Sequence, residues 1–386
     1  MSGKTISTIL RHDNKQNSYK IALLRAINDV VMNFPDAADQ HRDIAIPLKL
    51  LADYWIAYYW SFVDVNYQVY QGPRSNRNGV LSNDISFRPE LTELRKKWLD
   101  LNPGGNRPSD GFYLINEFRI KRKYQSYPLS FSNLYKRTNT KIRTALEQPI
   151  RYAGPGNWQV FEKPKPLRMY DRSGIIALPG AKENEKCLLV DFDLWNSFQD
   201  LSLWIEALCI HEWSIFTDHV EQASRNITRG MVYTLLTDRP DNRRPLTWER
   251  NQIDILLMEG HRFECPWSGR IIQNGVTYDL DHIIPVSLYP LNEMWNLVPS
   301  DPSFNSFKKR DKLPSPEALM QARPRLIRTY DNYFISKELS ASITTDVSNR
   351  FLKTQKKRPD SRGITDMVTH YVNILAESRN IARFSI

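Results

Sequence analysis

Tyr278-Asp279-Leu280-Asp281-His282-Ile283-Ile284-Pro285 places an acidic residue directly before a histidine at the end of an apolar, strand-like run. Trp295-Asn296-Leu297-Val298-Pro299 follows, then Phe304-Asn305-Ser306-Phe307-Lys308. The first asparagine stands 14 residues after the histidine and the second 9 residues further on, in a short basic segment. Each residue type has a chemical reason to be there. Cutting a phosphodiester needs a base to take a proton from water, and histidine titrates near neutrality, so His282 suits that task. It also needs positive charge at the scissile phosphate, which a hard divalent cation with oxygen ligands supplies. The carboxylate of Asp281 and the side-chain carbonyl of Asn305 are such ligands, and together they leave coordination sites open for phosphate and water. Side chains alternate along a strand, so Asp281 and His282 point to opposite faces unless the strand ends between them. Pro285 is consistent with the strand ending nearby.

The segment from about Cys265 to Lys312 resembles the HNH, or ββα-metal, nuclease family, most closely the branch found in the HNH domain of Cas9-type proteins. The resemblance rests on Cys265-Pro266-Trp267-Ser268-Gly269, on Asp279-Leu280-Asp281-His282-Ile283-Ile284-Pro285, on Asn296 and on Asn305-Ser306-Phe307-Lys308. It implies that His282 is the general base and that Asp281 and Asn305 hold one Mg²⁺, with Mn²⁺ as the alternative. It further implies that Asn296 braces the loop orienting His282 and that Lys308 lies close to a phosphate. Asp279 matches a family carboxylate that either ligates metal or braces the strand. Many HNH nucleases carry two Cys-x-x-Cys pairs around a structural zinc. Only Cys265 is present here, so no zinc is expected and other parts of the chain must buttress the motif. The resemblance covers roughly 50 of the 386 residues. A lone histidine on an apolar strand is usually a satisfied core residue, and Asn-rich loops are usually turns. Four such residues, in order and in this setting, favour the nuclease reading.

A chain of 386 residues has room for two or three domains. With 41% hydrophobic and 25% charged residues it reads as globular, not disordered. A formal net charge of +10 suits a polyanionic partner. The three cysteines, Cys187, Cys209 and Cys265, are odd in number and lack metal-site spacing, which fits a reducing, cytoplasmic setting. The first residues lack a signal-peptide run, and no apolar stretch is long enough to cross a membrane.

Along the chain, apolar spacing predicts a helix over Tyr19–Met32 and another after Pro47 through Phe62, whose aromatic stripe reads as a core face. Residues 71–83 read as a loop, and Pro89–Leu101 as a helix. Between Phe118 and Leu146 lie Arg119, Lys121, Arg122, Lys123, Lys136, Arg137, Lys141 and Arg143, interleaved with Phe118, Tyr124, Tyr127, Phe131 and Tyr135. The absence of acidic residues there up to Leu146 tilts the reading towards nucleic acid, with cations on phosphates and rings on bases. A partner protein or guide RNA is the alternative occupant. Short strands follow at 174–178 and 187–192, then a helix over Leu201–Phe216. In that helix His211 and His219 are too far apart for a zinc-protease pair. Residues 238–245 read as a linker, and Thr247 as the N-cap of a helix reaching Leu257. Asn274-Gly275 is a hairpin signal expected to pair 270–273 with 276–284. Pro302-Ser303-Phe304 opens a helix bearing Asn305 and the candidate phosphate contacts Lys308, Lys309, Arg310 and Lys312. Helices are expected over 316–322, 335–352 and 366–384, with a further run of cations (Arg323, Arg325, Arg328, Lys353, Lys356, Lys357, Arg358) partly facing nucleic acid.

The expected fold is mainly α, with a small α+β middle region and a ββα-metal module near the C-terminus. The expected segments are 1–160 (helical, basic), 161–240 (mixed), 241–320 (nuclease) and 321–386 (helical cap). The expected activity is Mg²⁺-dependent hydrolysis of phosphodiesters in DNA, in a bacterial or phage-defence setting, with RNA as another possible substrate. The alternatives are a subunit of a larger ribonucleoprotein or defence complex, and a nucleic-acid-binding protein with an inactive HNH module.

Overall fold

A computed structural model describes residues 2–34, 36–72, 75–77, 80–82, 84–221, 227–238, 240, 246–352 and 359–386. Parts of the expected 71–83 loop and 238–245 linker lie outside these, as do Lys353, Lys356, Lys357 and Arg358. The chain divides into two compact units: Met1–Asn33 with Ala37–Asp238, and Phe34–Asp36 with Arg239–Ile386. Both are mainly helical with small sheets.

The first unit begins with α1 (Ser2–Arg11) and α2 (Tyr19–Asn33). α2 is buried on every side, and the polar residues it takes inward are paired: Lys20 with Asp13, Arg25 with the Leu236 carbonyl and Asp29 with the Tyr58 hydroxyl. β1 (Asp43–Pro47) leads through Pro47, whose φ of −59° and ψ of 129° hold it outside the helix, into α3 (Leu48–Tyr59). The aromatic stripe of α3 is core: Trp55 and Tyr59 are fully buried, and Tyr59 packs 5.2 Å from both Phe87 and Trp213. Each such ring contributes about 1.5–3 kcal/mol by leaving water. β2 (Ser75–Arg77) pairs with β3 (Val80–Ser82), and α4 (Arg88–Leu101), α5 (Asp110–Arg119), α6 (Lys121–Ser126) and α7 (Leu129–Tyr152) follow. Then come β4 (Lys165–Pro166), β5 (Ile175–Ala177), β6 (Lys186–Val190), α8 (Phe192–Asp200), α9 (Ser202–Glu221) and α10 (Arg229–Thr237). The sheet order is β4-β6-β1-β5, with β1 parallel to β5 and antiparallel to β6. The two strands read at 174–178 and 187–192 are therefore not neighbours; β1, from far earlier in the chain, lies between them. One sheet thus draws strands from both sides of residue 160.

The second unit begins with α11 (Thr247–Met258). Leu246, not Thr247, occupies its cap position, and no side chain caps it. Its end is as the sequence implies. Gly260, at φ +91°, donates to the Leu257 carbonyl and His261 N donates to that of Leu256, a Schellman closure. β7 (Phe263–Glu264) pairs with β8 (Ile271–Ile272) across the Cys265–Arg270 knuckle. β9 (Asp279–His282) pairs antiparallel with β10 (Leu297–Ser300). The Asn274-Gly275 turn does form, with Val276 N donating to Gln273 O, but it does not join paired strands. A turn signal says where the chain reverses; each strand here finds its hydrogen bonds elsewhere. α12 (Pro302–Phe304) runs into a π-helical turn over Asn305–Lys309. β11 (Leu313–Pro314), α13 (Pro316–Ile335), α14 (Lys337–Arg350) and α15 (Ser361–Ser378) complete the unit with β12 (Arg383–Phe384). α13 continues through Pro324, well past the expected 316–322. α15 stops at Ser378, and the residues expected to prolong it form β12, parallel to β11.

Candidate active site

The site is built on β9 and what flanks it. Alternation along β9 puts Asp279 and Asp281 on one face and His282 on the other. The register aligns Asp281 with Val298 and His282 with Leu297. On the histidine side, His282 Nε2 lies 2.7 Å from Asn292 Oδ1. A carbonyl oxygen only accepts, so in this contact Nε2 carries the proton. The ring is 3% exposed.

On the carboxylate side, Asp281 Oδ1 accepts from the Lys309 ammonium at 3.1 Å. Asp281 Oδ2 is buried without a hydrogen-bond partner. Burial pushes the Asp281 carboxyl above its ordinary pKa; the Lys309 charge and hydrogen bond and the His282 backbone oppose this, while Asp279 adds to it. Asn305 Nδ2 donates to Asp279 Oδ2 at 3.0 Å. Asp279, Asp281, Asn305 and Lys309 thus form one cluster, in which Asn305 is bonded to Asp279. Lys309, expected to face a phosphate, is instead buried against Asp281, because the π turn directs it inward. Lys308 and Arg310 are exposed and Lys312 is half-buried. The Lys308 ammonium sits 5.6 Å above the Phe304 ring.

Asn296 is fully buried between the two sides. Its Oδ1 accepts from Ile284 N at 2.8 Å, and its Nδ2 donates to Ile284 O at 3.0 Å and Leu291 O at 2.8 Å. It ties together the two ends of the loop that carries Asn292. Asn292 and Lys309 had no place as partners of His282 and Asp281 in the sequence reading. Both pairings are made in space, 10 and 28 residues apart, and no local pattern marks them.

Helices buttress this small module. The Tyr330 hydroxyl donates to Trp295 O and that of Tyr333 to Leu297 O, at 2.7 and 2.8 Å. Arg350 pairs with Glu293, whose Oε2 also accepts from Trp295 Nε1 at 2.6 Å. Met294 N donates to Asp346. At the knuckle, Cys265 Sγ accepts from Ser268 N and Arg325 donates to Pro266 O. Trp267 packs on Phe384 at 5.3 Å. The C-terminal cations within the described residues are drawn into this framework: Arg323 pairs with Asp366, and Arg325 and Arg328 with Glu264.

The second basic stretch lies in the first unit. Its rings pack on one another: Phe118 stacks 4.0 Å from Tyr135, and Tyr127 5.1 Å from Phe131. Tyr135 donates to Asp53, and Tyr127 to Glu117. Phe131 and Tyr135 are therefore core, not a free stacking surface. Lys121, Lys136 and Lys141 are exposed; Arg119, Arg122, Lys123 and Arg143 are half-buried, and Arg137 is exposed but paired with Glu93.

Two family models match the chain. One, described as a domain of unknown function (DUF8808), covers residues 2–236, more than half of the 386. The chain belongs to that family. The other, described as an HNH endonuclease, covers residues 265–315, so an HNH module follows the family domain and contains the whole of the site above. No curated protein and no solved structure matches the chain. Among the described residues, no helix is long and apolar enough to cross a membrane.

Proposed function

We propose that this protein is a divalent-metal-dependent endonuclease that hydrolyses DNA phosphodiesters through its HNH module. The observation that carries this reading is the division of labour across β9: an oriented histidine on one face, and on the other a buried carboxylate with one oxygen left unpartnered. That oxygen fits a hard cation, and Asp281 with Asn305 would hold it, with Asp279 beside them. When bound, Mg²⁺ or Mn²⁺ supplies positive charge where negative charge develops on the phosphate.

The chain's own residues do the rest. Asn292 holds the His282 ring, which takes the proton from the attacking water. Asn296 keeps Asn292 in reach by closing the loop. Lys309 neutralises one oxygen of Asp281 and leaves the other for the cation. Lys308, Arg310 and Lys312 offer charge to the phosphates flanking the cut. One such module cuts one strand, so a double-strand break needs a dimer, two binding events or a second nuclease. A phage-defence or restriction setting fits a nuclease module joined to a large second domain, by analogy of architecture alone.

The test is plasmid cleavage by the purified protein with Mg²⁺ or Mn²⁺, beside EDTA and His282→Ala controls. Nicking of supercoiled DNA, abolished by both controls, is the expected result. Cleavage that survives His282→Ala would remove His282 as the base. A second reading, in which the module works as a subunit of a larger complex with a partner protein or guide RNA, is favoured by the near-complete burial of His282 and Asp281. It predicts that free protein leaves every DNA form intact and that a partner chain or RNA co-purifies.

A further inference from the structure

Phe307 is 82% exposed, the most exposed of the large hydrophobic side chains among the described residues. Single exposed apolar residues are common and ordinarily mean little. This one stands inside the π-helical turn that also carries Asn305 and Lys309. π turns are rare, and many occur at functional sites. The turn is anchored on β9 at two points, Asn305 on Asp279 and Lys309 on Asp281, and closed by its own hydrogen bond from Arg310 N to the Asn305 carbonyl at 2.9 Å. With Lys309 drawn inward, Phe307 is left projecting beside the carboxylate cluster. Its surroundings are cationic, with Lys308 and Arg310 exposed and Lys312 half-buried, against the single exposed carboxylate of Asp311. The neighbouring aromatic, Phe304, faces the other way and packs on Phe384 at 5.6 Å. An exposed ring on an anchored turn, with cationic charge on its flank and next to the proposed phosphodiester site, matches a base-stacking platform.

We propose that Phe307 stacks on an unpaired nucleobase beside the scissile phosphate, so that the site takes single-stranded or locally unpaired nucleic acid. The face of a base in a closed duplex is covered by its neighbours, and only its edges show in the grooves. A protruding phenyl ring gains its contact where the stack is already open. DNA and RNA share this chemistry, because every base has a π face. The inference rests on the nuclease reading of the same site and names its substrate class.

The experiment compares wild type with Phe307→Ala and Phe307→Trp, whose folds are checked by matched thermal melting. Binding is measured in EDTA by anisotropy, on a labelled DNA single strand, the same-length RNA strand, a duplex with a central unpaired bubble and a fully paired duplex. A 2-aminopurine single strand reports stacking directly, by quenching. Cleavage of the same set is then followed with Mg²⁺ or Mn²⁺. Phe307→Ala is expected to lose about tenfold or more in affinity for the single strand and the bubble, together with the quenching. It should change the paired duplex by less than about twofold, and Phe307→Trp should keep the wild-type pattern. DNA and RNA strands that respond alike confirm recognition of the ring face; a response confined to one sugar overturns the shared-base form of the proposal. If Phe307→Ala binds and cleaves every substrate as wild type does, or if wild type prefers the closed duplex, the proposal is wrong while the nuclease reading survives. If wild type quenches the strand through Phe307 but never cuts it, the reading of a nuclease active without a partner fails and the stacking site stands. Wild type that binds no nucleic acid overturns both.

Discussion

Asn296 is fully buried, and its amide meets three backbone groups on two sides of a loop. Asn296→Ala leaves those groups unpaired in a site closed to water, at a cost of roughly 3 kcal/mol. Denaturant unfolding should show that loss, and cleavage should fall because Asn292 no longer holds His282. Asn292→Ala is the complementary case: the ring loses the acceptor that sets its tautomer. Activity should fall by about tenfold or more while unfolding stability changes far less, as kinetics beside denaturation would reveal. At the cysteines, burial pushes the Cys187 thiol up to about 12 and raises that of Cys209 as well. The thiolate is the reactive form. Folded protein at pH 8 should therefore resist iodoacetamide at both positions and be modified at both once unfolded, as mass spectrometry would read. At this scale much was legible beforehand. An Asp-His pair, two asparagines and a lysine announce their chemistry by type. What could not be read was partnership, because Lys309 looks like every other lysine in a basic segment until the π turn carries it inward.

The β9–β10 pair is too small to hold itself. Two four-residue strands are marginal alone, and here helices take over. α14 supplies Arg350 to a buried pair with Glu293, and α13 supplies two tyrosyl hydroxyls to the backbone around β10. Arg350→Ala would strand the Glu293 carboxylate in the core and should cost about 3–5 kcal/mol of stability by chemical denaturation. Replacing both partners with apolar residues of similar volume should cost much less. The helices were visible in apolar spacing only in part: the expected segment ends at Ala322, although the buried positions of α13, Leu319, Ala322, Leu326, Tyr330 and Tyr333, continue in steps of three and four past Pro324. Strand pairing was not visible in the same way. Asn274-Gly275 makes its turn, yet β8 turns back to β7 and β9 reaches forward to β10.

Across the whole chain, the net charge of +10 carries the expectation of a polyanionic partner. In the first unit the exposed lysines of the basic stretch are Lys121, Lys136 and Lys141, the exposed Arg137 is paired with Glu93, and Phe118 stacks on Tyr135 and Tyr127 on Phe131. A nucleic-acid contact there would rest on phosphate contacts, since Phe131 and Tyr135 are buried and not free to stack. Reversing these three lysines to Glu should lower the salt slope of binding by about 2–3, as a titration of affinity against salt would show. An unchanged slope would leave this face to a solvated or partner-binding role.

The order of residue types along the chain sufficed, by itself, to reveal the HNH motif, its candidate base and ligands, the helical character of most of the chain and the core role of the α3 aromatics. These are local properties: chemistry is carried by side-chain type, and helices by a short period. Only the tertiary structure decided that β1 separates β5 from β6, that Asn292 holds His282, that Lys309 covers one oxygen of Asp281 and that Phe307 is left outside. Those are contacts between residues distant in sequence, or consequences of them. Their free energy depends on which surfaces meet when the whole unit closes, and no local window contains it.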